Sequence, residues 1–286
     1  MTTTTPPVQR RLHAVDGLCL HYREAGAPEL PHLVLLHPSP RSSAMYEPWM
    51  ETLAPYFHVV AVDTPGYGGS DPLPTPVTQL SDYLAPVHAL LQTVAGPQCL
   101  LYGSATGAQL GIAFANRHPG AVTHLLLDNA AHFDDAERAH ILARYFPDLS
   151  PRSDGAHLLT AWRMAAQMAQ FFPWFEDNEA HRVSTREPSA PELHAAVAEL
   201  LAAGPDYALA YRAAFQHERA EHLMTLQVPT TVLRWQGSIL LKHNDRLLTF
   251  DLPSHVQRLD TPADLPARYA AMTQHLLSLR SLLSLR

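Results

Sequence analysis

Groups that could react with or hold a cofactor are sparse in this chain. Only two cysteines occur in 286 residues, Cys19 and Cys99, each inside an apolar strand-like segment. That argues against a disulfide-stapled secreted scaffold and suits two buried thiols in a reducing cytosol. The net charge is −7, with no long run of one sign, so neither nucleic acid nor an anionic membrane surface is an expected partner. No apolar run reaches ~18 residues, and the threonine-rich start, Met1 to Pro7, has no apolar signal core; a soluble, cytoplasmic protein is expected. The 18 histidines are scattered, and no His/Cys/Asp/Glu cluster has metal-ligand spacing, so no metal is expected. Gly66-Tyr67-Gly68-Gly69 follows a strand-like run but lacks the G-x-G-x-x-G spacing and a later ribose acid. With no phosphate loop elsewhere, no cofactor is expected.

What the chain does have is a large apolar fraction, 47%, in a length that suits one sizeable α/β domain carrying an insertion. Arg11 to Val15 and Leu18 to Glu24 read as a hairpin reversed at Asp16-Gly17. Short, continuous apolar runs at Leu33–Leu36, His58–Val62, Cys99–Tyr102 and Val122–Asp128 read as strands buried on both faces, separated by helical patterns. Strands alternating with helices predict a mostly parallel sheet. After Asn129 the rhythm turns helical, with segments at 139–145, 157–172, 190–203 and 207–226, before a strand resumes at Thr230–Trp235. The expected division is a core over 1–130 and 228–286 and a helical cap over 131–227. A closing helix ends in the short repeat Ser278-Leu279-Arg280 and Ser284-Leu285-Arg286.

The most informative stretch is Gly103-Ser104-Ala105-Thr106-Gly107. It has the G-x-S-x-G frame of a sharp strand-to-helix turn that presents a nucleophile, and its central position holds a methyl group. Alanine can neither attack nor carry a proton, so ordinary serine hydrolysis is excluded at this position.

Three motifs in order carry a family resemblance: Leu35-Leu36-His37-Pro38-Ser39-Pro40, Asp63-Thr64-Pro65-Gly66-Tyr67-Gly68-Gly69-Ser70 and the 103–107 turn. Together they resemble the α/β-hydrolase superfamily nearly end to end, which implies a mostly parallel central sheet flanked by helices with an inserted helical cap. The resemblance also implies a Ser, Asp or Glu, and His triad. Position 105 is alanine, the stretch after the next-to-last strand (235–241) has no carboxylate, and the stretch after the last strand (259–265) has no histidine. His37-Pro38-Ser39-Pro40-Arg41-Ser42 and Thr106-Gly107-Ala108 further resemble a bacterial subgroup whose elbow reads G-x-H-T-G, where a histidine base would suit lyase or isomerase chemistry.

Within this frame, the elbow position Ala105, His37 and Asp128 are the candidate catalytic residues. The resemblance assigns oxyanion donors to the backbones of Ser39 and Thr106. His37 can instead brace its loop by hydrogen bonds. Arg41 is either a bidentate partner for an anionic substrate group or a surface arginine. Asp128 is the best substitute acid, because strand carboxyl ends line the ligand crevice of such sheets; helix capping is its alternative role and the expected role of Asp134. His132, Trp162, Phe171, Trp174 and His217 are candidate substrate contacts, though most of the aromatic cluster is expected to be cap core. The expected function is cofactor-independent hydrolase- or lyase-like chemistry on a small carbonyl-containing, aromatic or otherwise flat molecule. The alternatives are a catalytically silent small-molecule binder and a chain whose reactive residue at 105 has been replaced. A homodimer is compatible with the sequence.

Overall fold

The computed structural model describes residues 7–74 and 77–283; most of the threonine-rich start and the closing Ser284-Leu285-Arg286 lie outside the described residues. Eight strands form one sheet: β1 (Gln9–Val15), β2 (Leu18–Ala25), β3 (His32–Leu36), β4 (His58–Val62), β5 (Cys99–Ser104), β6 (Val122–Asp128), β7 (Thr230–Trp235) and β8 (Val256–Thr261). Their spatial order is β1-β2-β4-β3-β5-β6-β7-β8. The β1–β2 hairpin and the β2–β4 pairing are antiparallel, and every pairing from β4 to β8 is parallel. Helices α1 (Glu47–Leu53), α2 (Leu84–Val94) and α3 (Thr106–Arg117) connect the early strands. Between β6 and β7 lie α4 (Asp135–Arg144), α5 (Ala156–Met168), α6 (Ala190–Ala202), α7 (Ala208–His217) and α8 (Glu221–Met224); α9 (Leu241–Leu247) precedes β8 and α10 (Leu265–Leu283) closes the chain.

The central strands read as unbroken apolar runs because both of their faces are covered. Val34 and Leu36 of β3 join one buried cluster, whereas Leu33 and Leu35 join the other. The same alternation separates Leu125 and Leu127 from Leu126 on β6. Successive strand side chains point to opposite faces, so one run supplies both layers. A third cluster lies in the helical segment and is rich in rings, including Phe133, Tyr145, Phe172, Trp174, Tyr207 and Phe215. No described helix is long and apolar enough to cross a membrane.

The glycine-rich turn after β4 is architectural. Asp63 is buried and accepts from the backbone of Ser43 (2.7 Å) and Gly69 (2.8 Å) and pairs with the His21 ring at 2.8 Å. Burial alone would raise its pKa, but these partners outweigh that and hold it well below the usual carboxylate range. A side chain at Gly68 would place its Cβ 2.0 Å from Asp63 Oδ2, so the motif needs glycine there to let the backbone close on the carboxylate.

Two elements depart from the sequence expectation. The helix expected over 207–226 is broken into α7 and α8, because Glu218 leaves helical geometry at ψ 81°. The buried Arg138 accepts the freed end by donating to the carbonyls of Phe215 (3.1 Å) and Glu218 (2.9 Å). Helix α9, absent from the sequence reading, carries Asn244, whose side chain donates to the Ala130 carbonyl at 2.8 Å and is held by tertiary contact.

Candidate active site

The turn from β5 into α3 has the geometry its glycines require. Ala105 sits at φ 47° and ψ −109°, a region that costs a non-glycine residue on the order of 1–3 kcal/mol. Its N–H donates to the Asp128 carbonyl at 2.9 Å, and its own carbonyl accepts from Gln109, which starts α3. A Cβ at Gly103 would lie 2.2 Å from the Gly107 carbonyl oxygen, and one at Gly107 would lie 2.2 Å from that of Leu36. Both glycines are therefore fixed by close backbone approach. The turn lifts residue 105 to the floor of a cavity of about 410 Å³. Sheet-side residues, among them Ser39, Ser104, Thr106 and Asp128, form one wall, and Met168, Phe172, Tyr211, Phe215 and Glu218 of the helical segment form the other. Trp235 and Tyr269 narrow the side. Such a lining, mostly apolar with a few polar groups, and such a volume suit a small organic ligand.

Asp128 anchors the polar wall. It is 1% exposed, and its Oδ2 accepts from Tyr102 (2.8 Å), Ser104 (2.9 Å), Asn129 (3.2 Å) and the Arg268 guanidinium. Asp128 Oδ1 and Arg268 Nε have no hydrogen-bond partner among the described residues. Arg268 is 4% exposed, and its guanidinium carbon lies 4.2 Å from the Trp235 ring centroid. Burial alone would lower the pKa of this arginine, but the Asp128 charge reverses the balance and raises it. The ion pair stands where β6 ends and α10 begins. Asp264 starts that helix by accepting from the Ala267 N–H at 2.9 Å, which brings Arg268 inward one turn later. No histidine lines the cavity among the described residues.

Glu218 faces the same cavity from the helical side. It is 4% exposed, and its Oε2 has no hydrogen-bond partner among the described residues. Tyr211, Ala214, Phe215 and Glu218 all line the cavity. Their i, i+3, i+4, i+7 spacing puts them on one stripe at the end of α7. Burial pushes the Glu218 pKa up to about 8, and the Arg138 charge only partly opposes this. A shift of this direction favours the neutral carboxylic acid at neutral pH.

The structure redistributes the residues singled out from sequence. Ala105, Ser39, Thr106 and Asp128 line the cavity together. Thr106 is the first residue of α3, where backbone N–H groups have no acceptor within the helix. His37 does not serve: its Nε2 accepts from the Thr64 N–H and its Nδ1 donates to the Pro38 carbonyl, both at 3.0 Å, so neither nitrogen is left for chemistry. Arg41 is also corrected, since its guanidinium pairs with Glu199 of α6 at 2.6 Å and fastens the loop after β3 to the helical segment. His132 accepts from the Ala220 N–H at 3.1 Å and packs on Phe250. Trp162 is 42% exposed, Phe171 lies under the Arg182 guanidinium, and Trp174 donates to the Tyr145 carbonyl at 2.9 Å. His217 hydrogen-bonds Gln109 at 2.9 Å and stacks on His222. None of these last five lines the cavity. Asp134 caps α4 through the Glu137 N–H, as expected. Sequence reasoning missed Arg268, Glu218, Tyr102, Trp235 and Tyr269. The one signal for Arg268 was its place a turn after Asp264, at the head of a helix.

Comparison with known proteins fits this architecture. The family described as alpha/beta hydrolase fold matches residues 31–238, more than half of the chain. An epoxide hydrolase 3 of Xenopus tropicalis is 31% identical over 122 residues, covering 41% of this chain and 32% of that protein. A 2-(acetamidomethylene)succinate hydrolase of Mesorhizobium japonicum is 30% identical over 115 residues, 40% of each chain. An uncharacterized hydrolase of Saccharomyces cerevisiae is 28% identical over 125 residues, 44% of this chain and 43% of that one. The chain thus spans less than half the length of these curated relatives. Among solved structures, a hydrolase from Pseudomonas aeruginosa superposes with a TM-score of 0.67 at 20% identity, covering 93% of this chain and 98% of that one. A haloalkane dehalogenase loop variant from Bradyrhizobium elkanii gives 0.66 at 20% identity, covering 96% of each. This chain belongs to the α/β hydrolase fold family.

Proposed function

We propose that this member of the α/β hydrolase fold family is a cofactor-independent enzyme that acts on a small carbonyl-containing molecule with an aromatic or otherwise flat apolar portion, by hydrolase- or lyase-like chemistry without a nucleophile at residue 105. Its relatives are named as hydrolases, which supports an enzyme. The observation that carries the reading is two buried carboxyl groups, Asp128 and Glu218, lining one cavity that also holds the elbow. A buried carboxyl whose pKa is raised, as burial raises that of Glu218, is a usual basis for an acid role.

The substrate's flat portion packs against Phe172, Phe215 and Trp235, beneath the helices of 131–227 acting as a cap. Its carbonyl oxygen accepts from the backbone N–H groups of Thr106 and Ser39. The loss of one such donor costs roughly 3–4 kcal/mol of transition-state stabilisation in other enzymes, so this pair supplies a real share of the rate. Asp128 Oδ1, which has no hydrogen-bond partner among the described residues, takes a proton from water or from the carbon beside the carbonyl. Arg268, Tyr102 and Ser104 hold that carboxylate in place. A non-serine elbow of this kind agrees with the resemblance to the G-x-H-T-G subgroup, here with the side-chain base removed.

A silent small-molecule binder is the second reading, favoured by the methyl group at 105 and the four donors on Asp128 Oδ2. Turnover of activated phenyl esters and β-dicarbonyl compounds by the parent, Ala105→Ser and Ala105→His separates the two. The proposal expects the parent to turn over at least one compound, with neither variant exceeding it by more than ~10-fold. A silent parent beside an active variant would make residue 105 the reactive position. Silence from all three, with thermal stabilisation by a compound of the panel, would establish the binder.

A further inference from the structure

We propose that Glu218 is the proton donor of this cavity, delivering its carboxyl proton to the oxygen or nitrogen that leaves the substrate carbonyl. The proposal rests on the reading of the cavity as an acid–base site. Its geometric basis is independent of the elbow. Glu218 sits where α7 breaks, is buried, lines the cavity, and points no hydrogen bond from Oε2 to any described residue. An unpartnered buried carboxyl costs free energy unless something arriving in the cavity completes it.

Its surroundings keep it ready to donate. The charged and titratable groups around it are Arg138 from α4, Tyr145 beyond α4, Tyr211 on α7, and Asp128 with Arg268 across the cavity. Arg138 binds the Glu218 backbone carbonyl and Asp135, and its charge only partly opposes the effect of burial on the carboxyl. Tyr145 and Tyr211 share a hydrogen bond of 3.0 Å, and burial raises both phenols far above neutrality. A carboxyl whose pKa lies at about 8 is the better acid at working pH, because proton transfer is most efficient from a group titrating near it.

In acyl hydrolysis, water adds its oxygen to the carbonyl carbon and gives one proton to Asp128 Oδ1. The bond from that carbon to the leaving heteroatom breaks, and the heteroatom takes the Glu218 proton. Solvent returns a proton from Asp128 to Glu218, which restores both groups.

The test is the pH–rate profile of the parent, Glu218→Gln and Glu218→Asp on whichever panel compound the parent turns over. The parent's kcat is expected to fall above about pH 8. Glu218→Gln, a neutral isostere, is expected to lose ~100-fold in kcat with little change in KM and to lose that descending limb; Glu218→Asp restores part of both. Should the glutamine variant fail to fold, the aspartate variant carries the test through a displaced limb. An unchanged kcat and an unchanged limb in these variants would overturn the proposal while leaving Asp128 as the base of the cavity and the enzyme reading in place. A panel the parent leaves untouched would remove both.

Discussion

Asp128 and Glu218 are the same kind of group, buried to the same degree on opposite walls of one cavity, yet their surroundings differ completely. Asp128 lies at the end of a central strand and receives four donors on a single oxygen. Glu218 lies at a break between two helices and receives none on Oε2 among the described residues. Two carboxyl groups on one cavity thus differ in the donors that neighbouring elements bring to them: for Glu218, burial is left with only the Arg138 charge against it. The sheet wall is rigid and polar because adjacent strands align Tyr102, Ser104 and Asp128 in register, Ser104 directly opposite Asp128. The helical wall is apolar because its stripe is built from rings and small side chains.

The contrast breaks most visibly if the sheet-side pair is split. Arg268→Met leaves Asp128 buried with its countercharge gone, and a loss of ~3–5 kcal/mol in urea unfolding is expected. Adding Asp128→Asn to that variant is expected to recover part of the loss, since replacing both partners removes the unpaired charge. A loss below ~1 kcal/mol in the single variant would mean the pair is hydrated and the contrast is overstated.

Glu218 sharpens the comparison through pH. Its folded-state value is raised from an ordinary 4.5 to about 8, so the native chain binds more protons than the unfolded one across that window. Its contribution makes stability fall as pH rises from about 4.5 to about 8 and level off above. Each unit of difference is worth ~1.4 kcal/mol at most, and solvent entry on ionisation reduces the total. Glu218→Gln is expected to flatten that decline in unfolding curves collected across the range; an equal decline in the variant would assign the effect to other groups.

Tyr102→Phe removes one of the four donors, and ~1.5–3 kcal/mol is the expected loss for a hydrogen bond to a charged group. The elbow gives the smallest effect. Ala105→Gly relieves a left-handed residue but frees the unfolded chain, so a gain of no more than ~1 kcal/mol in thermal unfolding is expected.

The sheet was legible in the sequence because its information is local. Apolar runs such as Leu33–Leu36 and the glycines at 103 and 107 report on their own strand or turn, and a Cβ clash is a property of a few neighbouring atoms. Asp128 was legible for the same reason, as the polar residue ending a buried run. Arg268 and Glu218 were not, because their meaning comes from groups 140 and 80 positions away. Nothing in the local pattern around Glu218 stops a helix: neither glycine nor proline intervenes, and Arg138 creates the break by taking the carbonyls. His37 shows both readings at once: its place after β3 marks it for the site, while its hydrogen bonds give it the loop-bracing role.

The most direct test is infrared spectroscopy of the intact protein at pH 7, comparing the parent with Glu218→Gln in the carbonyl-stretch region of protonated carboxylic acids. A band present in the parent, absent in the variant and lost from the parent as pH passes about 8 would establish a neutral acid facing the paired Asp128. No protonated carboxyl at pH 7, or one that persists in Glu218→Gln, would contradict the account.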